Sequence, residues 1–475
     1  MKKPYLIYVL LIALIFFFIK VNSSSGNTQF EISNNLSTSP ISNEFNSNFS
    51  RQIDANDFIL KTVYEYPLEK MHNYTSKLSQ KYGFNGSILV AKNGKILFEE
   101  HIGYKNLRHK DSIESTSTYQ LASVSKQFTA AAILLLYQEG KLDLDDFATK
   151  YLPDFPYKNI KIRHLLNHTS GLPNYMYAAE HNWKSKTPPD NTAMLSLMNK
   201  VKMQAYFTPG SRFDYSNTGY FVLASIVSKV TNQSLGDFLD SRFFKPLNLT
   251  HTYVYNPNQE TKKEELIGFR RYGKSYIAIP SSINDGVVGD KGVYSTVSDL
   301  FKWNQSLTEH TILNDTILAK AFRPGKTNSG KMVPYGFGFR LKQETDSELV
   351  YHNGVWNGFS TTLRRYKADN ITIIILSNNS FHSITPVSEE LYELSKDFSK
   401  YDLFVSFLEN TNIYDLHKLK NDLLNFTDIP RAESVSIIEK IANIYNKQNA
   451  QFISHKYLEV SSPNQVNQQY QVLFN

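Results

Sequence analysis

A chain of 475 residues that is 41% apolar and 20% charged can bury a sizeable core, so it reads as a folded protein of one large domain or of two to three smaller ones. Its formal charge of +7 is scattered without a basic run, helix or aromatic-plus-basic module, which argues against nucleic acid as a partner. The absence of cysteine excludes disulfides, thiolate metal ligands, a cysteine nucleophile and lipid attachment at an N-terminal cysteine.

Lys2 and Lys3 precede an apolar run from Tyr5 to Ile19, and Lys20 and a Ser/Asn stretch follow it, the layout of an export signal. The run is shorter than the roughly 20 residues of a spanning helix, and Val21-Asn22-Ser23 is a mediocre cleavage site. Residues 1–27 are therefore read as a signal peptide or as an uncleaved anchor that would bring membrane contact. Residues 28–55, rich in Ser, Asn and Thr, read as a flexible linker.

Helical periodicity from Phe58 to Tyr82 opens the folded part. Two apolar runs within Gly86 to Phe98 are split by Asn93-Gly94, a type I′ hairpin signal. Further strands are expected at Tyr335 to Leu341, Phe359 to Tyr366 and Ile371 to Leu376, with a turn at Ala368 to Asn370. Strands at both ends of a long helical middle predict an α+β fold: an antiparallel sheet built from the two ends of a domain over 56–400, flanked by helices, with a helical region inserted beside it and the active site between them. Beyond it, Ile437, Ile438, Ile441, Ile444 and Tyr445 share one helical face, so 401–475 is read as a helical C-terminal appendage whose partner the residues do not name.

Three short motifs carry the chemistry. Ser123-Val-Ser-Lys126 opens an apolar helix that runs to Gly140, a plausible C-terminal cap, and is too apolar to lie on the surface. The three-residue spacing puts Ser123 and Lys126 on one face, where an amine whose pKa has fallen by about 3 units could take the hydroxyl proton. An arbitrary Ser-x-x-Lys is more often a helix cap followed by a surface lysine, but this one is unique in the chain and its helix is buried. Tyr215-Ser-Asn217 follows a turn and precedes another apolar run; Tyr215 could share the proton and Asn217 could bond both Lys126 and a substrate amide. His352-Asn-Gly354 lies on an expected strand edge, where a hydrogen-bonding side chain and a small residue would let a substrate backbone lie alongside. Similar tripeptides at Tyr104 and Tyr157 are read as loop sequence, and the one at His101 as structural.

Taken in order, Ser123-x-x-Lys126, Tyr215-x-Asn217 and His352-x-Gly354 resemble the three motifs of the serine β-lactamase and penicillin-binding-protein superfamily, in its class C-like branch. The stretches His164 to Pro173 and Gly289 to Leu300 agree, and the resemblance covers roughly 56–395. It implies that fold and a metal-free, cofactor-free serine hydrolase. Ser123 would be the acylated nucleophile, Lys126 and Tyr215 the proton-transfer pair, and Asn217 a substrate-orienting group. His352 and Gly354 would line the cleft, and the backbone N–H groups of Ser123 and Val355 would form the oxyanion hole. His352 stands where many β-lactamases carry lysine. A mostly neutral imidazole is a poorer clamp for a carboxylate, which favours an ester, amide or D-amino-acid peptide over antibiotic hydrolysis as the small-molecule or peptide acyl substrate. The alternatives are a catalytically silent envelope binding protein of the same fold, and a metallohydrolase, for which no His-Glu-x-x-His cluster is present.

Overall fold

Asn93 and Gly94 both take positive φ, 50° and 74°, the backbone that a two-residue type I′ turn requires. They join β1 (Gly86–Lys92) to β2 (Lys95–Ile102) in the expected hairpin, with a bulge at Val90/Ala91. The computed structural model describes residues 64–410 and 436–437, apart from 108, 257–264, 274 and 344–347. The chain divides after Phe58, and the described residues all belong to the unit Ile59–Asn475. The export signal, the linker and nearly all of the appendage beyond 410 lie outside the described residues.

The hairpin joins a six-stranded antiparallel sheet with β3 (Arg340–Gln343), β4 (Glu348–Trp356), β5 (Phe359–Tyr366) and β6 (Ile371–Ser377), in the order β3-β4-β5-β6-β1-β2. Gly86 pairs with Ser377 and Lys92 with Ile371, so the two ends of the domain meet in the middle of the sheet. A Cβ on Gly86 would stand 2.1 Å from the Leu376 carbonyl oxygen, which fixes glycine there. β1 and β6 are buried almost throughout, as continuous Val/Ile/Leu runs should be when helices cover both faces.

One face packs on a helix over 64–82 (α1) and on the C-terminal helix α6, defined below, around Met71, Phe84, Ile373, Ile375 and Leu391. The other packs on the inserted helical region: α2 (Lys126–Gln138), α3 (Asn217–Thr231), α4 (Val297–Thr308) and α5 (Asp315–Ala321). α2 is buried on nearly every side, as its composition predicts. It ends in a Schellman arrangement: Gly140 has φ 68°, the Gly140 amide bonds the Tyr137 carbonyl, and the Lys141 amide bonds the Leu136 carbonyl. α6 (Ile384–Asn410) runs on through residue 400, and Ile437 of the appendage is fully buried.

The strand expected at Tyr335 to Leu341 begins only at Arg340. Gly336 and Gly338 turn the chain instead. A Cβ on Gly338 would stand 2.8 Å from the Ala130 Cβ and 3.0 Å from the Lys126 carbonyl oxygen, so this segment is pressed against the first turns of α2.

Candidate active site

Ser123 does not cap a helix. It sits in a 3₁₀ turn, Ala122–Ser125, that leads into α2. The turn is entered through Ala122 at φ 49°, a left-handed backbone that costs a residue with a Cβ about 1–2 kcal/mol. Surrounding contacts hold it there: Thr361 on β5 donates to the Leu121 carbonyl oxygen at 2.7 Å, the Val124 amide bonds the same carbonyl, and Ser125 Oγ accepts from the Val293 amide. A helix-start pattern contains no sign of this arrangement.

Lys126 is fully buried. Its Nζ lies 3.2 Å from Ser123 Oγ, 2.8 Å from Asn217 Oδ1 and 2.7 Å from the carbonyl oxygen of Asp290. Burial lowers its pKa to about 7, with the Asp290 carboxylate opposing the fall and the Arg340 guanidinium adding to it. A neutral amine has two N–H groups and one lone pair. The Asn217 and Asp290 oxygens take both N–H groups, which leaves the lone pair for the Ser123 hydroxyl.

Tyr215 lies beside this pair, with the Lys126 ammonium position 5.0 Å from its ring centroid. Burial drives its phenol pKa up, with Ser123 acting in the opposite direction, so it is protonated at neutral pH. Its hydroxyl is buried and makes no well-formed hydrogen bond. Asn217 opens α3, which aims its amide at Lys126.

His352 is brought to the site but does not face the cleft. It is 1% exposed, Tyr335 Oη lies 2.9 Å from its Nε2, and its Nδ1 lies 2.7 Å from the Asn353 carbonyl oxygen. Burial, with Lys126 and Arg340 near it, holds its pKa well below the ordinary value, so the ring is neutral and both nitrogens are engaged. Gly354, two residues on, is required by contact: a Cβ there would stand 2.3 Å from the Leu121 carbonyl oxygen and 2.9 Å from the Ser123 amide nitrogen. This close approach brings β4 against the nucleophile turn and sets Val355, 66% exposed, beside it. β3 pairs with β4 only as far as Arg340 opposite Tyr351, so no described strand covers that side of His352–Trp356.

Several site residues escaped the sequence motifs. Arg340 at the start of β3 lies with its guanidinium 5.0 Å from the Tyr215 ring centroid and has no carboxylate within ion-pair distance among the described residues. His168, fully buried, stacks on Tyr215 at 4.2 Å between centroids and accepts from the Ser216 amide at its Nδ1. Behind Lys126, Asp290 and Lys291 form a buried pair at 3.5 Å. Lys291 donates to the Tyr175 hydroxyl at 2.7 Å and stands 4.9 Å from the Trp356 ring centroid. His168 and Asp290-Lys291 fall in the two stretches that resemble the family without a motif, which was the available signal; Arg340 had none. Among the described residues there is no His/Cys/Asp/Glu grouping fit for a metal ion, and no helix is long and apolar enough to cross a membrane.

Comparison with known proteins places the chain in a family. Penicillin-binding protein 4* of Bacillus subtilis (strain 168) is 36% identical over 316 residues, 63% of this chain and 69% of that protein. Protein flp of Staphylococcus aureus (strain COL) is 26% identical over 355 residues, 74% of this chain and 68% of its own. In fold, the chain is similar to a penicillin binding protein from Bacillus halodurans, at TM-score 0.58 and 24% identity over 66% of this chain and 98% of that one. It is also similar to the D-amino acid amidase from Ochrobactrum anthropi, at TM-score 0.57 and 23% identity over 71% and 97%. The family model described as Beta-lactamase matches residues 72–388. This chain belongs to the β-lactamase family, the superfamily of serine β-lactamases and penicillin-binding proteins, and is a serine hydrolase by descent.

Proposed function

We propose that this protein is an exported acyl hydrolase that forms an ester on Ser123 and then hydrolyses it. The observation that carries this reading is the Lys126 amine, buried, held near neutrality and donating to two oxygens while its third direction meets Ser123 Oγ. Lys126 takes the hydroxyl proton as Oγ attacks the acyl carbon. The developing oxyanion is met by the Ser123 and Val355 N–H groups, each such donor being worth about 3–4 kcal/mol. Tyr215, protonated and adjacent, passes its proton to the leaving group and takes one back from the Lys126 ammonium, so that the neutral amine can then accept a proton from the water that releases the acid.

The substrate-facing cation is Arg340, not His352. A guanidinium without an acid partner beside the nucleophile favours a substrate that ends in a carboxylate, bound bidentately. Penicillins and D-peptides, which end in a carboxylate, are the first to try, with D-amino-acid amides, after which a similar amidase is named, as the neutral comparison. Export is supported by the apolar run behind Lys2 and Lys3.

Incubation with a fluorescent penicillin and a fluorophosphonate is expected to label the wild-type protein and to leave Ser123→Ala unlabelled. A protein that reacts with neither probe and hydrolyses no member of an ester and D-peptide panel would be a binding protein that keeps the fold, and the proposal would fall.

A further inference from the structure

Arg365 lies on β5, four residues beyond Thr361 and on the same face, which at about 3.3 Å per residue places it roughly 13 Å along the strand from the nucleophile turn. It is 9% exposed. Its guanidinium donates once, from Nη2 to Thr308 Oγ1 at 2.9 Å; its Nη1 is buried without a partner. The group rests 5.1 Å from the Phe322 ring centroid, and no carboxylate of the described residues lies within ion-pair distance of it. Glu348, the acid whose field it feels, is engaged by Lys367 at 2.7 Å. Burial brings the Arg365 pKa down only to about 10, so the charge stays at neutral pH. Buried fixed charge without a counter-ion is rare and costly.

Beside it, between α4, α5, β5 and β6, is a cavity of about 360 Å³ whose walls combine Leu307, Leu318, Phe322 and Ile371 with Arg365, Thr308 and Lys367. Asn304 also lines it, with an Oδ1 that has no partner. The carboxylate of Asp315 at the rim is engaged by His310 at 2.5 Å. A fixed cation beside apolar wall residues matches a molecule that is anionic at one end and apolar along its length.

We propose that this cavity is a binding site, separate from the Ser123 cleft, for a small organic acid whose carboxylate pairs with Arg365 and whose short alkyl body lies against Leu307, Leu318 and Phe322. Inorganic anions fit it less well because they leave Leu307, Leu318 and Phe322 uncovered. Ordered water alone would meet the polar atoms without saturable binding of an acid.

The full chain is titrated with hexanoate, hexanol and inorganic phosphate, and binding is followed by calorimetry and by the shift in Tm. Hexanoate is expected to bind saturably and to raise Tm, with hexanol and phosphate at the same concentration producing less than a tenth of the effect. Arg365→Gln is expected to abolish the hexanoate response. Ala319→Trp, which fills the mouth of the cavity from the exposed side of α5, is expected to abolish it while leaving fluorophosphonate labelling of Ser123 unchanged. If Arg365→Gln does not fold, Ala319→Trp decides alone. No saturation by hexanoate, an equal response to phosphate or hexanol, or a response that survives in Ala319→Trp overturns the proposal.

Discussion

On the proposed reading Arg340 acts on two charges at once, a substrate carboxylate and the Lys126 amine, and these separate in experiment. Its guanidinium helps hold Lys126 near neutrality, so Arg340→Gln is expected to raise the Lys126 pKa and move the acid limb of the acylation rate to higher pH, read from labelling rates between pH 5 and 9. The sign follows from the amine: only its neutral form takes the proton, so acylation rises with pH through about 7 in the wild type. The same variant is expected to raise KM about tenfold or more for carboxylate-ended substrates and little for neutral esters. Gly354→Ala would drive a Cβ into the Leu121 carbonyl and the Ser123 amide, and its acylation rate is expected to fall by about 10²-fold, the loss associated with one oxyanion donor. At this scale the meeting of Ser123 and Lys126 was legible from their three-residue spacing, and Asn217 from its place in the ordered motifs, although the 3₁₀ turn that carries Ser123 was not. The direction of His352 was not, because the Tyr335 hydroxyl that turns it inward comes from a distant segment. Arg340 was not legible because one arginine in a strand has no spacing to distinguish it.

Among the elements, those whose backbone is set by local chemistry stand where the residues place them: the Asn93-Gly94 hairpin, the Gly140 stop of α2, and β5 and β6 with Asn370 at φ 51° in the turn between them. The segment from Tyr335 departs, because packing on α2 decides its course. Gly338 has φ 86° and touches the Ala130 and Lys126 positions of that helix. Gly338→Ala is therefore expected to cost about 2 kcal/mol or more in urea unfolding and to slow Ser123 labelling as well, since the displaced helix carries Lys126. An unchanged unfolding midpoint would show that the contact yields.

For the whole molecule, a polar chain ties the hairpin to the helical side: the Tyr119 hydroxyl meets Ser87 Oγ, Ser87 Oγ lies 2.9 Å from His101 Nδ1, His101 Nε2 lies 3.3 Å from Glu99, and Ser298 donates to Glu99 at 2.9 Å. His101 is thus the satisfied structural histidine that its isolated position suggested. The His101 bond holds the Glu99 pKa below the ordinary carboxylate range, although burial opposes it. A carboxylate lowered in the folded state stabilises the protein above its unfolded pKa, and that contribution is lost as pH falls through the folded value. Thermal unfolding followed from pH 6 down to pH 3 is expected to fall more steeply in the wild type than in Glu99→Gln.

The pairing of β1 with β6 also sets a clock. Gly86 finds its neighbour at Ser377, so the centre of the sheet cannot close until some 290 residues of intervening chain are available, and contacts this distant in sequence form slowly. A chain ended at residue 370 is expected to remain open to protease throughout, although it contains every residue placed at Ser123. Under the proposed export, in which the polypeptide would be threaded through a membrane before it folds, such delay would be an advantage: the enzyme would become active only after its final strand had crossed.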